Sequence, residues 1–273
     1  MAVEQETLGP GLHVGREVRD AGLVLTLTLR GRGGLNVIGS AALQHAADTL
    51  RDLADEPGLR CAVLRGPDAR AFVGGADLTE LGSLTRDTAE AFIRGIHGVC
   101  AALRDFPVPV IAAIEGYCLG GGLEIAAACD FRIAAHGARF GMPEVRVGVP
   151  SVIEAALLPG LIGWGRTREF LLRGHLVDAG EALRIGLVEH AVDETALAAT
   201  LEAAVGDILA GAPAAIRAQK RLIRRWEECG IAGAIEAGVD AFVAAYGTAE
   251  PAEYAARFFA ARAAHAKAGP EER

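Results

Sequence analysis

The 273-residue sequence lacks the marks of several large classes of protein. It has no excess of basic charge. The formal net charge is −8, so no overall positive field draws nucleic acid or anionic lipid. It has no uninterrupted apolar run near the ~18 residues that a membrane span needs. Its start, MAVEQETLGPG, is acidic and has no apolar stretch, unlike a signal peptide. Its five cysteines (Cys61, Cys100, Cys118, Cys129 and Cys229) are odd in number and widely spaced, with no CxxC. That pattern argues against a disulfide frame and a zinc site, and predicts reduced, mostly buried thiols in a cytoplasmic protein. The seven histidines have no metal-ligand spacing, so no metal site is expected. No G-x-x-x-x-G-K-[ST] or G-x-S-x-G occurs. Ser151, in Pro150-Ser151-Val152, reads as a helix cap rather than a nucleophile. Low-complexity segments and short-period repeats are absent too.

What is present is an ordinary globular composition, 51% hydrophobic and 23% charged, at a length that supports a sizeable core. Residues 1–12 read as a loose leader. Glu17-Val18 and Leu23–Leu29 read as strands turning at Asp20-Ala21-Gly22. Ser40 is placed to cap a helix to about Leu53, and Arg60–Arg65 forms the next strand. Asp87 and Glu90 have capping-box spacing for a helix to about Arg104. Strand alternating with helix predicts an α/β core over residues 1–193. After Glu144 come short helical segments at 151–158, 165–173 and 178–184, with a small strand at Gly186-Leu187-Val188. From 194 to 273 the pattern is helical, with segments at 194–210, 214–228, 231–247 and 251–266. Their aromatic stripes, including Phe242, Tyr246, Tyr254, Phe258 and Phe259, need a surface to cover them. The run Arg217, Lys220, Arg221, Arg224 and Arg225 has helical spacing and reads as a solvated face. Trp164 and Trp226 read as packing residues.

The stretch Val110–Glu144 holds the chemistry. An apolar strand leads into GGGLEIAAA (120–128), where Glu124 is the only charge. A helix apolar all round is a buried helix, and a lone carboxylate on it is costly to ionise unless it is paired or used. Twenty positions on stands Glu144, after Phe140-Gly141-Met142-Pro143. The glycines do not make a dinucleotide fingerprint, because Ile125 stands where the last Gly should be. Two uses of the triplet remain open: close packing of helix on strand, or an oxyanion hole made from the unpaired first N–H groups of the helix. Glu124 could complement the helix dipole and Glu144 could be a solvated loop acid. A second glycine-rich stretch, Gly74–Ala76, favours the catalytic use, with two carboxylates dividing acid and base roles beside an oxyanion hole.

Three motifs, Ala71-Phe72-Val73-Gly74-Gly75-Ala76-Asp77-Leu78, Gly116-Tyr117-Cys118-Leu119-Gly120-Gly121-Gly122-Leu123-Glu124 and Phe140-Gly141-Met142-Pro143-Glu144, resemble the enoyl-CoA hydratase/isomerase (crotonase) superfamily. So do Glu253, Phe258 and Arg262 in the last helix. The resemblance covers roughly residues 15–265. It implies a spiral of ββα units with a helical C-terminal region that forms trimers, or dimers of trimers. It implies a CoA thioester substrate, no other cofactor, and a carbonyl held between the N–H groups of Ala76 and Gly121. Gly74, Ala76, Asp77, Leu78 and Gly121 would bind the substrate, and the basic loop Arg30–Gly34 would lie near CoA phosphates. Glu124 would handle the water and Glu144 the α-proton in reversible hydration of a trans-2-enoyl-CoA. An isomerase, a hydrolase or a non-catalytic acyl-CoA-binding subunit are the alternatives. The sequence departs from the family's glycine-rich PGxGGTQ-like segment at 148–156, which is one residue shorter and carries Glu154.

Overall fold

The computed structural model describes residues 9–268. The chain runs β1 (Gly11–Arg19), β2 (Gly22–Arg30), α1 (Ser40–Leu53), β3 (Leu59–Arg65), β4 (Ala71–Val73), α2 (Leu78–Ser83), α3 (Arg86–Arg104), β5 (Val110–Ile114) and β6 (Tyr117–Leu119). Next come α4 (Gly121–Ala127), β7 (Phe131–Ala135), β8 (Arg139–Gly141), 3-10 turns at Glu144–Val147 and Ile153–Leu157, α5 (Leu158–Arg173), β9 (Leu176–Asp178), α6 (Ala179–Ile185) and β10 (His190–Val192). After a 3-10 turn at Glu194–Ala196 come α7 (Leu197–Ala210), α8 (Pro213–Glu228), α9 (Ile231–Ala245) and α10 (Glu250–Ala268).

The strands form two sheets. The larger has the order β1-β2-β3-β5-β7-β10 and the smaller β4-β6-β8-β9. Only β1 in the first sheet and β9 in the second pair antiparallel. The chain therefore climbs by a repeated step: β3 to β4, β5 to β6, β7 to β8, each pair followed by helix. This is the expected spiral of ββα units. Parallel strands need both faces covered. One face of the larger sheet packs on α1 and α3, which bury Leu43, Ala46, Leu50, Phe92, Ile96, Val99 and Leu103. On the other face Val24, Cys61, Ile111 and Ile133 meet Leu197 and Val205 of α7. Strand β5, sequence VIAAI, is buried at every residue.

Several sequence-based expectations shift. The strand β1 starts at Gly11, inside the expected leader, because its whole length pairs with β2. The N-cap of α1 is Gly39, not Ser40; Ser40 is the first helical residue, and its hydroxyl and N–H donate to the Glu80 carboxylate. The capping box of α3 is Thr85–Thr88 rather than Asp87–Glu90. The last small strand is His190–Val192, beside β7, since Gly186 is the left-handed C-cap of α6. The basic face of α8 is not wholly solvated. Lys220 is buried, and its ammonium donates to the carbonyls of Leu103 and Val108 and to Asp130 Oδ2 at 3.1, 3.0 and 2.8 Å. Asp130 Oδ2 also accepts from Val110 N at the start of β5. Trp164 is 65% exposed rather than packed. Four cysteines are buried and all five are free thiols. Among the described residues no single helix is long and apolar enough to cross a membrane.

Candidate active site

The site forms where the smaller sheet hands over to α4. Strand β6 ends at Leu119 and Gly120 turns the chain at φ +54°, a conformation open to glycine at little cost. A Cβ on Gly120 would also collide with Glu144 Oε1. On Gly122 it would collide with the Val73 carbonyl and side chain on β4. Gly122 thus serves the close packing of helix on strand, and Gly120 makes room for a carboxylate. Between them Gly121 opens the helix, where an N–H has no intrahelical acceptor. On the facing segment Ile38 N donates to Gly75 O and Asp77 N to Ile38 O. This ladder steps over Ala76. Among the described residues, neither Ala76 N nor Gly121 N donates to a backbone carbonyl outside regular elements.

Ala76 and Gly121 both border one cavity of about 620 Å³. Glu124 and Glu144 line it, with Gly74, Gly75, Ala76, Leu78, Gly120, Gly121 and Ser151. The structure thus brings together every sequence-predicted site residue except Asp77. That carboxylate stands outside the lining and accepts from Thr79 N and Glu80 N as the N-cap of α2. These backbone hydrogen bonds hold it below its ordinary pKa. Arg32 of the basic loop lies 3.9 Å from it.

The two glutamates have unlike surroundings. Glu124, on the fully buried α4, is 5% exposed. Burial pushes its carboxyl up to about 8; the Ala155 N–H, 3.0 Å from Oε1, opposes this, and Glu144 and Glu154 add to it. Glu144 is half-buried at the cavity mouth, and Ser151 Oγ donates to its Oε2 at 2.7 Å. Ser151 is not the helix cap that sequence suggests. The 148–156 loop folds it back over Glu144, and spacing along the chain does not show that. The same loop delivers Ala155 N to Glu124 through Ile153, whose φ is +40°, a strained conformation for a β-branched residue. One carboxyl holding a proton near neutrality and one accepting a hydroxyl proton can exchange protons with a substrate between them. Among the described residues no three His, Cys, Asp or Glu side chains gather as a metal site.

A ββα spiral with two carboxylates on one largely apolar cavity is the architecture of the crotonase class of fold. The chain belongs to the enoyl-CoA hydratase/isomerase family, whose model matches residues 19–264. It is 34% identical over 230 residues to a short-chain-enoyl-CoA hydratase of Clostridium acetobutylicum, covering 83% of this chain and 87% of that one. It is 32% identical over 232 residues to a crotonyl-CoA hydratase of Syntrophomonas wolfei, covering 85% and 89%. Among solved structures, an enoyl-CoA hydratase from Bacillus anthracis superposes with a TM-score of 0.84 at 28% identity, over 90% of this chain and 95% of that one.

Proposed function

We propose that this protein catalyses the reversible hydration of a trans-2-enoyl-CoA to a 3-hydroxyacyl-CoA. The observation that carries the reading is the placing of Glu124, Glu144, Ala76 and Gly121 on one cavity. The thioester carbonyl would accept from Ala76 N and Gly121 N, and the enolate charge formed during addition would rest there. One such donor contributes about 3–4 kcal/mol to the transition state. In hydration, Glu124 takes a proton from water as the oxygen bonds to the β-carbon, and Glu144 gives a proton to the α-carbon. In dehydration Glu144 removes the α-proton and Glu124 protonates the departing hydroxyl. A protonated Glu124 is the form ready for dehydration, and one proton passed between the two acids resets the cycle. Leu81, Leu84, Phe92, Ile93, Ile96 and Val152 make the rest of the wall apolar, which suits a hydrocarbon acyl chain. The reaction draws on no resident cofactor, and the reduced thiols suit a cytoplasmic setting.

The exposed apolar side chains of α9 and α10 support assembly into trimers or pairs of trimers through the 194–273 region. The test of the activity is loss of enone absorbance from a panel of short, long, branched and aromatic enoyl-CoAs, with Glu124→Gln and Glu144→Gln alongside. Hydration by the wild type and its loss in both variants is the expected result. Undiminished turnover in both would overturn the assignment, and double-bond migration or thiol release instead would move the chain to an isomerase or a hydrolase.

A further inference from the structure

The two site carboxylates are held by different kinds of donor. Glu124 accepts from a backbone N–H, that of Ala155. Glu144 accepts from a side chain: Ser151 Oγ donates to its Oε2 at 2.7 Å, and among the described residues no other group donates to this carboxylate. Its Oε1 lies against Gly120, where an added Cβ would collide with it. One oxygen is therefore occupied by the loop, and the other stands at the turn into α4, next to Gly121. A tight local fold returns Ser151 to this place. The 3-10 turn Glu144–Val147 ends at Gly148, whose φ of +85° suits glycine. Gly148 N and Val149 N both donate to the Glu144 carbonyl. Pro150 follows with its φ fixed by its ring, and Ser151 comes back over the carboxylate seven residues behind it. Gly120, Glu144 and Ser151 all line the same cavity.

We propose that Ser151 is the positioning residue for Glu144: its hydroxyl reserves Oε2, so that Oε1 alone trades a proton with the α-carbon, and on one face only. The proposal rests on the reading of Glu144 as the group that handles the α-proton. The last bond of a glutamate side chain turns in a broad, two-fold well, so an untethered carboxylate presents either oxygen. A hydroxyl bound to one of them removes that freedom. When the α-carbon gives up its proton, the C–H bond breaks and an O–H bond forms at Oε1. The electron pair of the broken bond moves into the thioester as its enolate. Oε2 accepts from Ser151 before and after this transfer, because a protonated carboxyl keeps an acceptor oxygen. The same hydrogen bond thus orients the group in both directions of the reaction. In return, Oε1 gives the proton back to the face from which it came.

The test follows the α-hydrogens of butyryl-CoA in heavy water by NMR, with the two positions told apart by stereospecific deuterium labelling. This saturated thioester reports the α-proton step without any addition of water; hydration of crotonyl-CoA is measured alongside. The full-length wild type is expected to exchange one α-hydrogen in preference to the other. Ser151→Ala is expected to lose about 10- to 100-fold in exchange rate and in kcat for hydration, with KM within about twofold. Its preference between the two α-hydrogens should fall about tenfold, a change that lost packing would not produce. Ser151→Thr keeps a hydroxyl and Ser151→Val has the same shape without one. The threonine variant should recover most of the rate and the preference, and the valine variant neither. An alanine variant with wild-type exchange, a slower exchange with the preference intact, or a valine variant equal to the threonine would each overturn the proposal. If Ser151→Ala does not fold, the threonine and valine pair decides it by the same exchange. A wild type that hydrates no enoyl-CoA but exchanges an α-hydrogen sinks the hydratase reading, while the exchange still decides Ser151. One that does neither sinks both.

Discussion

Helices α4 and α9 are written in nearly the same alphabet. One reads GGLEIAA and the other IAGAIEAGVDAFVAA: mostly small and aliphatic residues, with one acid in the first and two, Glu236 and Asp240, in the second. Yet every residue of α4 is buried and none of α9 is. Composition says that a helix needs a partner; it does not say where the partner is. For α4 the partners include β4, α3 and the 153–157 turn of the same chain, and burial pushes up the carboxyl of the enclosed Glu124. Helix α9 packs within the chain only on α8, among the described residues that make more than slight contact with it, leaving Phe242 and Tyr246 about two-thirds exposed and Glu236 exposed.

The largest test of this contrast is the chemistry that enclosure confers. Glu124→Gln and Glu144→Gln are each expected to lower kcat/KM for hydration by about 10²- to 10⁴-fold, whereas Glu236→Gln on α9 should leave it within about twofold. The hydration equilibrium does not involve net proton uptake, so kcat/KM in both directions should fall about tenfold per pH unit above pH about 8 as Glu124 ionises. A flat alkaline profile would mean that Glu124 is not held as an acid.

Stability provides the next test. The folded pKa of Glu124, about 8, lies above its ordinary 4.5, so the folded state keeps a proton that the unfolded chain releases between those values. The wild type therefore loses stability as pH rises through that window, and Glu124→Gln does not. Denaturant melts should show the variant gaining up to about 4 kcal/mol on the wild type between about pH 5 and pH 9. A glycine pair separates the helices further. Gly122→Ala drives a Cβ into Val73 and should cost about 2–4 kcal/mol together with activity. Nothing stands within 4 Å of a Cβ on Gly238 in the single chain, so Gly238→Ala should stabilise the protomer by up to about 1 kcal/mol. Last, Phe242→Glu should convert the assembly to monomers in sedimentation at micromolar protein and leave the protomer's melting within a few degrees. An unchanged oligomer would show that α9 is not the covered face.

Much of this was legible in advance, and what was not has local causes. The alternation of apolar strands with amphipathic helices announces the α/β core, and Glu124 among GGGLEIAAA is conspicuous because charge in an apolar helix is costly. The capping box at Thr85–Thr88 escapes a search for acids because a threonine hydroxyl does the same work. Leu187 and Val188 are buried as a strand would be, yet Gly186 takes the helix cap and the ladder starts two residues later. The bonds of Ser151 to Glu144 and of Ala155 N to Glu124 come from a loop with one strained residue, Ile153, and periodicity carries no information about such a turn.

Lys220 has a consequence for how the molecule comes apart. Its ammonium is the bolt by which α8 is fixed to the end of α3 and to Asp130. Asp130 Oδ2 also holds Val110 N, at the start of β5. Helix α8 and strand β5 thus share a single oxygen atom. Cutting the chain before α8 would strand two buried carbonyls and a carboxylate, so the helices from α8 onward are no detachable accessory. The protomer should melt in one cooperative transition, with assembly and catalysis lost at the same temperature.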